Sequence, residues 1–406
     1  MLKQIRSTCW PRAAALIGGI LLIFGADPIL AADWSFDPKI AASYEFDDNV
    51  RLTETPGQEI KVSGGAIDAL LRMQMKTPRT VLQLIPRLNS TFFPGKHQEE
   101  TDNQYMRMRL QHSGERSESR IDAKYSRVET LGTYFPPAGA GDDGVLGQPG
   151  RGDTVGRTTI DNREERLEVD PEIRFELSER HGIAVGAKFL DVMFDQQVQN
   201  DREDFSEASG WAAYQYKLSP TKTASVIAGV SRFELDDGTG TDSQSINLGW
   251  SNRISEASEL FVRAGANRSD FDAGGSATGF NGSGGVRWSF EVTDLFLDLY
   301  SGFEPTSAGQ VAQRNQLRFQ ISRRLSPLTT IQIGGRFIQD AKTHSSDEFE
   351  RRQYLTGSIG MSRRFSRQWS LAGTYTYVWR KYESSPEPAE ANRLSLGVTY
   401  EPHRAR

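Results

Sequence analysis

The sequence predicts an all-β chain: one transmembrane, antiparallel, up-and-down β-barrel of about 18 strands, or 16 if two weaker strands near 60–76 and 162–178 do not form. Three observations point there. Apolar and polar residues alternate with period two along most of the chain, in runs of roughly 10 to 14 residues, where strands of soluble proteins have about 5 or 6. The runs are separated alternately by short polar turns and by long segments rich in Gly, Asp, Ser and Pro. No long window keeps apolar residues at the helical spacing i, i+3, i+4, i+7.

The first element differs from the rest. Lys3, Arg6 and Arg12 precede an apolar run from Ala13 to Phe24, which is short of the ~20 residues of a spanning helix. Pro28, Ala31 and Ala32 then lead to a polar start at Asp33, the pattern of a cleaved secretory signal over 1–32 followed by one barrel domain over 33–406. The single cysteine, Cys9, falls in that leader, so the mature chain is expected to carry neither a disulfide nor a thiolate metal site. A formal net charge of -5 argues against a nucleic-acid partner. With 37% hydrophobic residues and a mean hydropathy of -0.53, the chain is too polar for a helical membrane protein.

The alternation is clearest in four places. Ile331, Ile333, Gly335 and Phe337 face one way while Thr330, Gln332, Gly334 and Arg336 face the other. Gln104, Met106, Met108 and Leu110 alternate with Tyr105, Arg107, Arg109 and Gln111. Leu317, Phe319 and Ile321 alternate with Gln316, Arg318 and Gln320, and Leu371, Gly373, Tyr375, Tyr377 and Trp379 with Ala372, Thr374, Thr376, Val378 and Arg380. Short turns are expected near 77–79, 113–116, 179–181, 219–221, 255–257, 292–293, 326–328 and 366–368. Long loops are expected near 47–58, 94–102, 132–161, 194–204, 236–242, 272–279, 304–313, 340–350 and 382–390. Eight turns plus nine loops make 17 connections and hence 18 strands, with both ends of the barrel on the short-turn, periplasmic side. Ser322-Arg323-Arg324-Leu325-Ser326 returns 40 residues later as Ser362-Arg363-Arg364-Phe365-Ser366, with weaker echoes at Glu176-Leu177-Ser178 and Lys217-Leu218-Ser219.

In a bilayer every backbone N–H and C=O must be paired, so such a sheet has to close, with its apolar face toward lipid. Aromatic girdles are expected at Tyr44, Phe46, Phe92, Phe93, Trp250, Phe271, Trp379 and Tyr382 on the outer rim, and at Phe175, Phe365, Trp369 and Tyr400 on the inner rim. The opposite face carries the lumen candidates Arg72, Arg87, Arg107, Arg109, Arg174, Arg318 and Arg336. Acidic residues gather in the loops, at Asp47, Asp48, Glu99, Glu100, Asp142, Asp143, Asp236, Asp237, Asp347 and Glu348. A basic channel behind an acidic mouth would favour anions; interior salt bridges would use the same arginines to fill the lumen. The longest loop, 132–161, is expected either to fold inward and narrow the pore or to stay outside, and its Arg151-Gly152-Asp153 is short enough to occur by chance.

Catalysis is not expected. The histidines are scattered at 97, 112, 181, 344 and 403, with no Gly-x-Ser-x-Gly elbow and no His-Glu-x-x-His pair. No cofactor and no metal site are expected; Asp236-Asp237-Gly238 lacks the spacing of a calcium loop.

Trp34 and Pro38 lead to an aromatic strand ending in Tyr44-Glu45-Phe46-Asp47-Asp48-Asn49-Val50. Together with the Arg-Arg-Leu/Phe-Ser turns at 323–326 and 363–366, this resembles the β-barrel porin 2 family, outer-membrane barrels found with exopolysaccharide and exosortase (PEP-CTERM) systems. The resemblance spans the mature chain, and its distinctive motif is Tyr44, Asp47, Asp48 and Asn49. It implies an outer-membrane pore serving export or surface deposition of a polysaccharide. The alternatives are a general or anion-preferring diffusion porin, and a plugged structural or adhesive barrel. Expected partners are outer-membrane lipid and lipopolysaccharide, the barrel-assembly machinery, and an anionic polysaccharide or periplasmic export components. The alternation Leu394, Leu396, Val398, Tyr400 ends the barrel, followed by a tail from Glu401 to Arg406. In this setting Asp47 to Asn49 would begin the first external loop, in water.

Overall fold

A computed structural model describes residues 32–129, 163–195, 203–272, 274–305, 311–342 and 351–402. The expected leader up to residue 31, the loop over 132–161 and the tail from 403 lie outside the described residues, as do Asp142, Asp143, His344, Asp347 and Glu348. Eighteen strands carry the chain. They are β1 (Asp33–Asp47), β2 (Val62–Lys76), β3 (Thr80–Phe92), β4 (Asp102–Ser113), β5 (Ser117–Glu129) and β6 (Arg163–Glu176). Next come β7 (His181–Phe194), β8 (Phe205–Ser219), β9 (Lys222–Leu235), β10 (Gly240–Ser255), β11 (Ser258–Phe271) and β12 (Ser276–Ser289). The last six are β13 (Thr293–Pro305), β14 (Val311–Ser326), β15 (Thr329–Lys342), β16 (Arg352–Arg364), β17 (Trp369–Tyr382) and β18 (Ala389–Tyr400). The weaker strands near 60–76 and 162–178 are both formed, as β2 and β6, which decides for 18 over 16.

Each strand pairs antiparallel with its sequence neighbour, and β1 pairs with both β2 and β18, so one sheet closes on itself. Closure leaves no edge, which is the condition for placing β-structure in lipid. Strands of 12 to 16 residues suit tilted crossing of a bilayer.

Six of the eight short turns share a device that explains the repeats: a hydroxyl at or just past the end of one strand accepts backbone N–H groups of the turn. Ser366 Oγ takes those of Gln368 (3.2 Å) and Trp369 (3.0 Å), and Ser219 Oγ those of Thr221 (3.3 Å) and Lys222 (3.1 Å). Ser178, Ser255, Ser326 and Thr77 do the same. The serine closing each echo is thus a turn cap, holding donors that the ladder cannot reach.

Register separates the two faces. Ile40, Ile67, Leu88, Val230, Leu248, Phe280, Leu299 and Leu396 share the outer face and are exposed, Val230 at 62% and Leu248 at 65%. An apolar belt this continuous is unfavourable in water by about 25 cal/mol per Å² and stable under lipid. At the short-turn rim, outward aromatics pair: Trp34 stacks on Phe36 at 6.2 Å, and Trp288 with Phe290 at 5.9 Å and Trp369 with Tyr400 at 4.8 Å meet at a tilt. Tyr44, Phe46, Phe92 and Trp379 face outward at the other rim.

Four expected girdle residues are placed elsewhere. Trp250 lies in the half of β10 nearer the short turn, because that strand runs from the long-loop rim toward it. Phe271 aligns with inward Thr241, while Phe93 and Tyr382 are 6% exposed and turned inside. One residue of offset reverses the face of a strand position, and these three stand at strand ends where alternation is shortest.

Candidate functional site: a lumen with two unlike walls

The inward face is polar, and the structure puts all seven arginines singled out above on it. Most have a carboxylate within reach. Arg87 Nε donates to Asp68 at 2.7 Å, and Arg107 holds Asp122 through two bonds of 3.0 and 2.6 Å, with Arg109 added at 3.2 Å. Arg318 lies 3.4 Å from Asp298 and stacks over Phe296 at 5.0 Å. Arg336 donates to Gln316 at 3.0 Å, Arg174 pairs with Glu172 on its own strand, and Arg72 stands across from Asp37. These guanidinium groups are largely neutralised in place, so the expected basic channel becomes a network of interior ion pairs.

The most deeply buried pairs lie on the wall formed by β14 to β18 and β1 to β3. Arg314 and Asp340, 1% and 0% exposed, form a two-bond fork at 2.7 and 2.8 Å, and Arg352 closes on the same carboxylate at 2.8 Å. None of these three was singled out from the sequence. The signal was present, since Arg314 has the parity of Arg318, but the partner acid sits on the next strand and needs the register to be seen.

Against this wall the first loop folds into the mouth. Leu52, 2% exposed, packs with the inward residues Ile338, Tyr354, Val378, Ala389 and Ala391. Its φ of 51° lies in the left-handed region, a strain of about 1–2 kcal/mol for a side chain of this kind. Burying a leucine contributes about 1.5–3 kcal/mol, and Arg380 Nη2 donates to the Leu52 carbonyl at 2.7 Å, so packing and hydrogen bonding outweigh the strain. Arg51 ties the same loop to the second one through Glu99, at 2.7–3.0 Å. Glu99 is 2% exposed, not the solvated loop acid expected.

The triplet 47–49 organises this insertion, which corrects its placement in water. Asp47 follows outward Phe46 and therefore points inward, where Arg393 of β18 meets it at 2.5 Å. Asp48 binds Asn392 of β18 through both oxygens: the backbone N–H at 2.7 Å and the side-chain amide at 2.8 Å. Asn49, 2% exposed, donates to the carbonyls of Thr53 (3.0 Å) and Glu390 (2.9 Å) and accepts from the Thr53 N–H (2.9 Å). Asp47 and Asp48 bolt the seam where the first strand meets the last, and Asn49 turns the loop inward. Tyr44 is outward and 54% exposed, on the lipid face.

The wall from β4 to β13 is different. It borders a cavity of about 740 Å³ whose lining comes from ten consecutive strands, a position possible only inside the barrel. Five cations line it (Arg107, Arg120, Lys124, Lys188, Arg263) and five anions (Asp122, Asp170, Glu172, Glu207, Glu304), so its charge balances. Lys124 reaches Glu168 at 2.7 Å. Along β8 to β12 the lining turns to Ser209, Ser243, Ser245, Asn247, Asn267, Asn281 and the indole of Trp211. Sequence reasoning missed this patch, because a strand tryptophan is most simply taken for a membrane-girdle residue. Its parity with Ala213 and Gln215 was the available cue. Among the described residues no group of three or more His, Cys, Asp or Glu side chains is placed to hold a metal ion.

No family model and no curated protein matches the chain. Solved structures do. OccAB4 of Acinetobacter baumannii is 9% identical with a TM-score of 0.43, over 90% of this chain and 98% of its own. An anion-selective porin from Comamonas acidovorans is 10% identical, TM-score 0.39, over 91% and 99%. The outer membrane protein opdK from Pseudomonas aeruginosa is 12% identical, TM-score 0.45, over 91% and 98%. Each is a similarity in the overall course of the chain.

Proposed function

We propose that the chain is an outer-membrane pore for passive diffusion of small hydrophilic solutes, with little preference between anions and cations. The observation that carries this is the polar cavity inside the barrel, balanced at five charges of each sign. Rings of one sign make a pore selective, and here the signs cancel. An even strand number, an apolar outer belt, aromatic pairs at the short-turn rim and an expected leader over 1–32 support the outer membrane as its place. There the belt would contact lipid and lipopolysaccharide, after insertion by the barrel-assembly machinery.

Polysaccharide export rests on the resemblance at 44–50 and at the turns 323–326 and 363–366; of its distinctive motif, Asp47, Asp48 and Asn49 are engaged in closing the seam and seating the first loop, and Tyr44 faces outward. The chain purified in detergent and added to planar bilayers is expected to give stepwise conductance with a reversal potential near zero in a salt gradient. No conductance, even after deletion of 132–161, would sink the pore and leave a plugged barrel. Loss of surface polysaccharide on gene deletion would restore the export role.

A further inference from the structure

We propose that the β8–β12 wall of the lumen is a binding subsite for an uncharged, polyhydroxylated ring solute, a mono- or oligosaccharide. It rests on the pore reading and names the solute class that the cavity holds longest.

Two features build the subsite. The first is a fixed aromatic plate. Trp211 of β8 stands directly across from Gly186 of β7, and a Cβ on Gly186 would come within 2.6–2.7 Å of the indole. The ring therefore lies on bare backbone, positioned by the absence of a side chain beneath it. On its other side the pairing partner is again a glycine, Gly229 of β9. An indole held this way inside a polar cavity offers a π-face to the C–H face of a sugar ring.

The second feature is a set of three amides, two of which have a shielded oxygen with no hydrogen-bond partner among the described residues. Asn247 of β10 is paired with Gly265 of β11, which is paired in turn with Asn281 of β12, and Asn267 of β11 is paired with Gly279 of β12. Each asparagine thus faces a glycine on one side, while on the other Asn267 is paired with Ser245 and Asn247 with Ile227. Asn247 and Asn267 are each 8% exposed, and the Oδ1 atoms of Asn267 and Asn281 are shielded with no hydrogen-bond partner among the described residues. Shielded amide oxygens normally have partners, and these line a cavity.

A carboxamide presents two donors and an acceptor, the complement of hydroxyls that each donate and accept. Ser209 and Ser245 extend the same chemistry. The flanking charges are of both signs: Lys188 is paired with Ser209, Glu207 lies two residues toward the long-loop rim from Ser209, Arg263 lies two residues toward the short turn from Gly265, and Glu304 lines the same cavity. An ion would gain no net attraction from them, whereas a neutral polyol loses nothing.

The test uses the full mature chain in planar bilayers, with maltotriose as probe and a polyethylene glycol of similar size as control. Maltotriose is expected to block the current reversibly and in proportion to its concentration. Trp211→Ala should weaken the block about tenfold, the upper end for one aromatic contact. Asn267→Leu should weaken it several-fold, Trp211→Phe should largely preserve it, and the glycol should respond to none of these changes. Heat-modifiable migration checks that each variant is folded. Absence of block in the wild type, or equal block in wild type, Trp211→Ala and Asn267→Leu, overturns the subsite. If the barrel carries no current, equilibrium dialysis of labelled maltotriose against detergent-solubilised protein decides: binding lost in Trp211→Ala keeps the subsite while the pore fails, and no binding removes both.

Discussion

Two walls face the same lumen and treat their polar groups in opposite ways. From β14 through β18 and on to β3, charges meet charges and the first loop covers what remains, as at Arg314, Asp340, Arg380 and Leu52. From β8 to β12, the amide oxygens of Asn267 and Asn281 stand beside glycines and keep their valences open. The first wall is built to hold the barrel and its plug together, the second to meet whatever enters. A large barrel can serve both purposes because its strands are numerous enough to divide the work by angle around the axis.

Substitutions can break that division, and the largest effect is expected at Asp340. Asp340→Ala takes the two-bond carboxylate partner from Arg314, which is 1% exposed, and removes the contact of Arg352 with the same carboxylate. Removing one partner of a buried pair destabilises by about 3–5 kcal/mol. Urea unfolding in detergent micelles should show it as an earlier midpoint; an unchanged midpoint would mean that this wall does not anchor the barrel. Leu52→Ala comes next. Losing a buried leucine costs about 2–5 kcal/mol, which here frees a loop and leaves the strands intact. Bilayer conductance should rise while heat-modifiable migration stays the same. Equal conductance in variant and wild type would remove the first loop as an obstacle at the mouth.

Asn49→Ala should act more weakly, by about 1–3 kcal/mol, through three lost hydrogen bonds near the seam. Amide exchange should speed up in β18 around Glu390 and in residues 50–54, and not in β8 to β12. Uniform acceleration around the barrel would show that the triplet is no local clasp. The smallest effect lies at the long-loop rim. Hydrogen bonds from Arg232 hold the Asp272 carboxyl below its ordinary value, and the Thr239 hydroxyl and N–H do the same for Asp237. For a lowered carboxylate the contribution is present above the ordinary range and is lost as pH falls through the lowered folded value. An NMR titration should place the Asp272 midpoint below the ordinary aspartate range, and Arg232→Gln should bring it back up. A midpoint at or above the ordinary value in the wild type would show that this rim contact is not formed in solution.

Much of the fold was legible because membrane β-structure writes its rules locally. Long alternation, paired short turns and variable loops placed all eight turns and all nine loops within a few residues of their positions. The turn serines were visible as a repeat before their caps were known. Strand ends were harder, and Phe93, Phe271 and Tyr382 turned out to be inside. The candidate site was legible only by halves. Seven arginines could be assigned to the polar face by parity, but their acids sit on neighbouring strands, and no parity argument counts partners across a register.

The triplet 47–49 shows the same limit most sharply. Two aspartates and an asparagine after an aromatic strand look like the start of a solvated loop. What binds them, Arg393, Asn392 and the carbonyl of Glu390, is more than 340 residues away along the chain. By itself the sequence determined that strands alternate, that they number about 18, and that the sheet must close, because period-two patterning and the demand for paired backbone act residue by residue. Only the tertiary structure decided which charges cancel, which loop enters the mouth and which amides stay open. Those outcomes depend on the register between strands, and register is a property of pairs that no single strand contains.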